Sequence, residues 1–280
     1  MVDLDGLVKQ AHDMEPMPPS GARLAQIIAD PASTIESIVE AASLDQALAG
    51  RVLRSANSAA SAPRAPIHKI RDAVVRLGRH ATLALALGTR VRSELQQPIP
   101  AYGFAENGLW KHSVATALAT EALAAHCKAS LPPSAYAAAL LHDLGKLVFV
   151  RFFDPELLAV VDRAQNEGGC TPIEAEREVL EVDHAETGAH LARHWGLPEP
   201  IALGIQYHHA PENQEELTCH VVCVADEVAK LAVPGQKVPP HPENHAEAAE
   251  RLGLTPNGRE EAAKVVAERL AKVLELYGAS

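Results

Sequence analysis

Apolar positions along this chain recur at intervals of three and four, while strand-length runs that alternate apolar and polar residues are scarce. With 50 alanines and 4% aromatic residues, the pattern predicts an all-α fold, a multi-helix bundle in two lobes. Asp30-Pro31, Ser33 with Glu36, Ser43 with Gln46 and Thr171-Pro172 with Glu174 read as helix starts, since they match N-cap, N1-proline and capping-box chemistry. Gly78, Gly196 and Gly253 each follow an apolar helical run and read as stops. The stretch Gln96-Gln97-Pro98-Ile99-Pro100 divides an N-terminal helical lobe, residues 1–100, from a second lobe, residues 101–280, that opens with a longer helix near Ala105. A Pro-rich loop over 233–242 precedes two last helices, expected near 243–253 and 259–277. Val266, Leu270 and Leu274 give the final one a packing face.

Composition then removes several function classes. No stretch approaches the ~18 consecutive apolar residues of a membrane-spanning helix, and the acidic start MVDLDGLVKQAHDME resembles neither a secretory nor a transit signal. A cytoplasmic protein that does not span a membrane is expected. Cys127, Cys170, Cys219 and Cys223 are too scattered for a disulfide framework and form no CxxC pair, so reduced, buried thiols are expected. The formal charge of −11 argues against broad nucleic-acid binding. Its distribution is uneven: residues 1–100 carry 11 basic and 10 acidic side chains, residues 101–280 carry 14 and 26.

Among 14 histidines, placement matters more than number. His142-Asp143 sits in SAYAAALLHDLGKLVFV, where the preceding turns offer small or apolar neighbours. A polar pair on a buried helix costs several kcal/mol unless its members are paired or bound to a metal, and this motif alone fits either. The pattern recurs: His112 faces Leu109, Ala115 and Thr116, His184 opens a helix, His208-His209 closes IALGIQYHHAP, and Asp226 lies in the apolar helix HVVCVADEVAKLAV. Five segments that each present His or Asp on an apolar surface are explained most economically by convergence on shared cations. Seven side chains exceed the four that a tetrahedral zinc takes but suit two octahedral ions joined by a carboxylate. Imidazole and carboxylate donors without thiolates favour iron or manganese, with zinc as the alternative. Plain readings suffice for the others: His190 and His194 on a solvated helix face, His241 and His245 exposed in the Pro-rich loop, and Cys219 and Cys223 in the core.

The order H…HD…H…HH…D, with His142-Asp143-Leu144-Gly145-Lys146 as an HDxGK signature, resembles the HD superfamily of metal-dependent phosphohydrolases. Within it the chain is similar to the HDOD group, HD-related output domains of bacterial signalling proteins. Leu53-Arg54-Ser55-Ala56-Asn57-Ser58, Ile67-His68-Lys69-Ile70 and Ala73-Val74-Val75-Arg76-Leu77-Gly78 extend the match over about residues 15–276.

The resemblance implies that Asp143 bridges two ions, with His112, His142 and Asp226 on one and His184, His208 and His209 on the other. It also implies either a non-catalytic signalling module or a phosphohydrolase in which a metal-activated water attacks phosphorus and Lys146 steadies a phosphate oxygen. The plainer, secondary reading of Lys146 is a surface lysine paired to Asp143 or to a helix end. Oxygen chemistry at a di-iron centre is a lesser alternative. Many HDOD proteins lack some of these ligands, whereas all seven positions are filled here. The cyclic-di-GMP phosphodiesterase branch carries a Glu and a Gly-Tyr-Pro segment after its paired histidines, whereas this chain reads Ala210-Pro211-Glu212-Asn213. With no receiver or sensor domain ahead of the module, input is expected through a signalling partner or a nucleotide-type ligand, self-association being left open. The nine basic residues between Arg51 and Arg92 could meet an acidic partner, a nucleotide or the acidic second lobe, and Asn57-Ser58 a family feature or a turn.

Overall fold

The structure is a computed structural model that describes residues 18–58, 61, 63, 65–87, 95–167, 169–233 and 242–276. Among them there is no strand, only an isolated bridge between Ile99 and Phe104.

Five helices form the first lobe: α1 (Pro19–Ala29), α2 (Ile35–Ser43), α3 (Gln46–Ala56), α4 (Ile70–Leu77) and α5 (Arg79–Leu87). The sequence places their starts a residue or two early. Asp30 ends α1, and the capping box of α2 pairs Thr34 with Ser37 rather than Ser33 with Glu36. Asp45, not Ser43, caps α3 through the Leu48 amide, because a carboxylate placed directly before the first turn reaches its open N–H groups. Leu24, Ile28, Ile38, Leu48, Val52, Val74 and Leu83 fill the core between these helices. Asn57 is a staple: its amide donates to Leu53 O and Ile67 O and accepts from the Ile67 N–H, which ties the end of α3 to the approach to α4. The basic residues with described partners are held inside this lobe, Arg71 by Glu36, Arg79 by Ser33 and Arg76 by Ser61, while Arg64, Arg90 and Arg92 lie outside the described residues.

The second lobe winds around α6 (Gly108–Leu123), which starts three residues later than expected, after Asn107 in the left-handed region at φ 62°. Every residue of α6 except Gly108, Lys111 and Glu121 is buried, so it is the central post. Around it pack α7 (Ala135–Leu141), α13 (Leu217–Ala232) and α15 (Pro256–Leu276). Beyond these come α8 (Leu144–Phe152), α9 (Pro155–Asn166), α10 (Pro172–Leu180), α11 (His184–His194), α12 (Glu199–Gln206) and α14 (Pro242–Arg251). The Thr171–Glu174 capping box opens α10, and Gly78, Gly196 and Gly253 all have positive φ at helix ends. Cys219 and Cys223 are core residues; His190 is half-buried and His194 exposed. His245 departs from its expected exposure. It lies on α14, buried, with Nδ1 3.5 Å from Glu227, because α14 packs against α13; His241 lies outside the described residues.

The lobes meet where α5 packs on α7. The His80 ring stacks on Tyr136 at 4.3 Å and its Nδ1 lies 2.6 Å from Glu121, a carboxylate also bound by Arg269. Between them the chain folds back on itself: the Ile99–Phe104 bridge and the Asn107 N–H to Gln96 O bond place Tyr102 and Phe104 against the second lobe.

Candidate metal centre

His142 and Asp143 do not lie within a continuous helix. His142 follows the last residue of α7, and Asp143 precedes the first of α8, so the chain turns at this pair and both side chains point into one space. His112 comes from α6, His184 from the first position of α11, His208 and His209 from the segment after α12, and Asp226 from α13. All seven converge. His112, His142 and Asp226 form one set, His184, His208 and His209 a second, and His142, Asp143 and His208 a third that joins them, the donor atoms of each lying within 4.8 Å of one another. Six of the seven are at most 3% exposed, and only His209 is half-buried.

Ring orientation is set by what holds the outer nitrogens. His142 Nδ1 lies 2.8 Å from Ala139 O and His208 Nδ1 2.6 Å from Ile205 O. A carbonyl only accepts, so each Nδ1 carries the proton and each Nε2 offers its lone pair inward. His112 Nε2 stands 3.2 Å from His142 Nε2, and His209 Nε2 stands 3.1 Å from His184 Nε2. The carboxylates are held by lysines: Lys146 Nζ donates to Asp143 Oδ1 at 2.6 Å and Lys230 Nζ to Asp226 Oδ2 at 2.5 Å. Lys146 is thus paired to Asp143 yet buried, its ammonium 5.4 Å from the Tyr102 ring centre and 5.8 Å from that of Phe104.

Electrostatics divide the histidines. Burial drives His142 down to about 4, and burial with neighbouring imidazoles holds His208 and His209 well below their ordinary value. Burial alone would also lower His184, but the Glu176 carboxylate overrides it and raises the imidazole to about 9. Against the cost of burial, His142 and Lys146 keep Asp143 ionised, and Lys230 and His112 do so for Asp226.

The donor set fits divalent cations. Asp143 Oδ2 and His208 Nε2 are buried without a hydrogen bond, and Asp226 Oδ1 lies 3.1 Å from His112 Nε2 with no well-directed one. Inward-facing orphans of this kind are what a cation satisfies and what a purely hydrogen-bonded core avoids.

The HDOD domain family model matches residues 14–211. The chain belongs to the HDOD family. Over 97% of both chains, the HDOD domain protein of unknown function from Geobacter sulfurreducens has a TM-score of 0.72 and 26% identity. A provisionally named phosphohydrolase from Shewanella amazonensis has a TM-score of 0.67 and 26% identity over 98% of this chain and 97% of its own. An uncharacterised protein of Treponema pallidum is 30% identical over 216 residues, 75% of this chain and 41% of its own, and ribonuclease Y of Thermus thermophilus is 33% identical over 139 residues, 49% of this chain and 19% of its own. The HDOD chain therefore spans less than half the length of these curated relatives.

Sequence reasoning missed the residues that hold this HDOD site in shape. Glu176 and Lys230 are charged groups that face the cluster, at a helix spacing of four from Asp226 in the case of Lys230. Gly145 has no room for a side chain, since a Cβ would come within 2.0 Å of the His184 carbonyl. That close approach of α8 and α11 brings Asp143 Oδ1 to 3.3 Å from His184 Nε2. A cavity of about 530 Å³, lined by Arg177, Glu186, Tyr207, Asn213 and His245 among others, reaches the cluster at His209. Among the described residues, no helix is long and apolar enough to cross a membrane.

Proposed function

We propose that this HDOD chain is a cytoplasmic signal-transduction module, its second lobe built around two divalent ions and its two lobes, divided near residue 100, acting together on a protein partner or small ligand. His112, His142 and Asp226 would hold one ion, His184, His208 and His209 the other, with Asp143 between them. The observation that carries this reading is the junction of two donor sets through His142, Asp143 and His208, with buried Asp143 Oδ2 and His208 Nε2 left unsatisfied. Donors limited to imidazole and carboxylate favour iron or manganese over zinc. The near-complete burial of the cluster supports a centre that shapes the module more than one open to bulky substrates.

A second reading, a phosphohydrolase acting on a nucleotide, draws support from the cavity that reaches His209 and from the likeness to a relative named for RNA cleavage. Ions bound there would supply Lewis acidity toward a phosphoryl oxygen. The chain's own part would be that of Lys146, whose ammonium holds Asp143 in place and adds positive charge beside it.

Metal analysis of protein purified without chelator or tag-borne metal, run beside Asp143→Ala, tests both readings. About two equivalents, lost in the variant, are expected; an absence of metal after reconstitution would sink both. Turnover of nucleotides or cyclic dinucleotides that disappears in a folded Asp143→Ala protein would select the hydrolase, and partner binding that survives the change would select the module.

A further inference from the structure

His142 and His208 are oriented by backbone carbonyls, but His184 is oriented by a side chain. Glu176 lies on α10, outside every segment that supplies the seven converging residues, and is fully buried. Its carboxylate lies 2.7 and 2.9 Å from His184 Nδ1 through its two oxygens and also accepts the His184 backbone N–H at 2.8 Å. One acid therefore grips both the ring and the main chain of His184 at the first position of α11. The cost of burying a carboxylate this deeply is several kcal/mol, so it needs a strong local return. The cap of α11 is supplied separately by Asp183, which accepts the Glu186 N–H at 2.8 Å, so Glu176 is not needed as a cap; the buried Tyr102 hydroxyl is its other polar neighbour.

We propose that Glu176 is the positioning residue of the second half-site: it fixes the His184 ring with Nε2 facing the cluster and makes that imidazole a stronger donor than His142 or His208. This rests on the metal reading above. An anionic acceptor on the outer nitrogen increases the electron density that the inner nitrogen can give a cation, whereas a neutral carbonyl does so less, and loss of such a partner typically weakens metal binding 10- to 100-fold. The two half-sites are then unequal, and the ion beside His184 depends on α10 while the ion beside His112, His142 and Asp226 does not. Helix α10 also contributes Glu174 and Arg177, and its N-cap Thr171, to the wall of the 530 Å³ cavity.

The test compares wild type, Glu176→Gln and Glu176→Ala by competitive titration with manganese and zinc, with thermal melts to establish folding. Gln is nearly isosteric: its oxygen can still accept from one His184 N–H, but its NH₂ opposes the other. The expected result is that one of two metal equivalents weakens by about 10-fold in Glu176→Gln and about 100-fold in Glu176→Ala, the other staying within ~2-fold. A readout without metal accompanies it: wild type should show an exchange-protected, downfield His184 Nδ1 proton by NMR, displaced in Glu176→Gln. Equal affinity for both equivalents in wild type and Glu176→Gln, equal weakening of both, or absence of the protected proton would overturn the role of Glu176 while leaving the metal centre standing. Wild type that takes up no metal would overturn the metal reading and this role together.

Discussion

The two lobes use polar residues in opposite ways. In the first, among the described residues, the polar side chains that are buried belong to Ser55 and Thr82, and no charged residue is buried as a whole. The second buries His112, His142, Asp143, Lys146, Glu176, Asp183, His184, His208 and Asp226. Both have apolar cores of the same kind, so core packing does not account for the difference. Burying a charge is costly unless it is matched, and the second lobe matches its carboxylates with Lys146, Lys230 and His184 while leaving inward-facing oxygen and nitrogen atoms unsatisfied. The first lobe is held together by apolar packing, and the second carries buried charges whose burial costs stability.

The sharpest break in this contrast is expected from Asp143→Ala. Removing the carboxylate leaves the buried Lys146 ammonium without its partner, so metal-free protein should lose about 3–5 kcal/mol by denaturant titration. An unchanged midpoint would mean that the buried charges are not coupled. Gly145→Ala should follow, at about 1–3 kcal/mol, since the new Cβ must push α8 from α11, and metal binding should weaken with it. Retained stability would show that the close approach is not needed.

Acidity sharpens the comparison further. Without metal, stability should peak near pH 6.5. His142 is held at about 4, below the 6.5 of a free imidazole, so the unfolded chain takes up its proton first and the fold weakens from pH 6.5 toward 4. His184, raised to about 9, works in reverse: its contribution is complete below pH 6.5 and is lost as pH climbs through 9. Melting of metal-free protein across pH 4–10 reads both limbs, and a profile that rises steadily to pH 9 would refute the protonated, paired His184. In the first lobe, Asn57→Ala should cost about 1–2 kcal/mol by freeing the Ile67 loop, with metal affinity unchanged. Arg71→Ala, at an exposed pair with Glu36, should leave the melting midpoint where it was.

The helices and the residue types of the site were legible in the sequence because both follow from local rules. Spacing of apolar residues at three and four marks helices wherever a core must be covered, and His or Asp amid alanine and leucine signals a buried polar group that needs a partner. The cap positions were harder: Thr34 and Asp45 compete with nearby residues of similar chemistry, and one residue decides which side chain reaches the open N–H groups. His245 was misread because a Pro-rich neighbourhood suggests a loop, whereas its burial depends on α14 meeting α13. Glu176 and Lys230 look like ordinary helix-surface charges in sequence. Only the packing of α10 against the start of α11, and of the Asp226 helix against α6, turns them inward to the centre. By itself the sequence determined the all-helical fold and the identity of seven converging donors. How Glu176 meets His184, how the two donor sets come together at His142, Asp143 and His208, and how closely α8 approaches α11 were decided by tertiary structure, because each depends on distances between segments that the chain order does not contain.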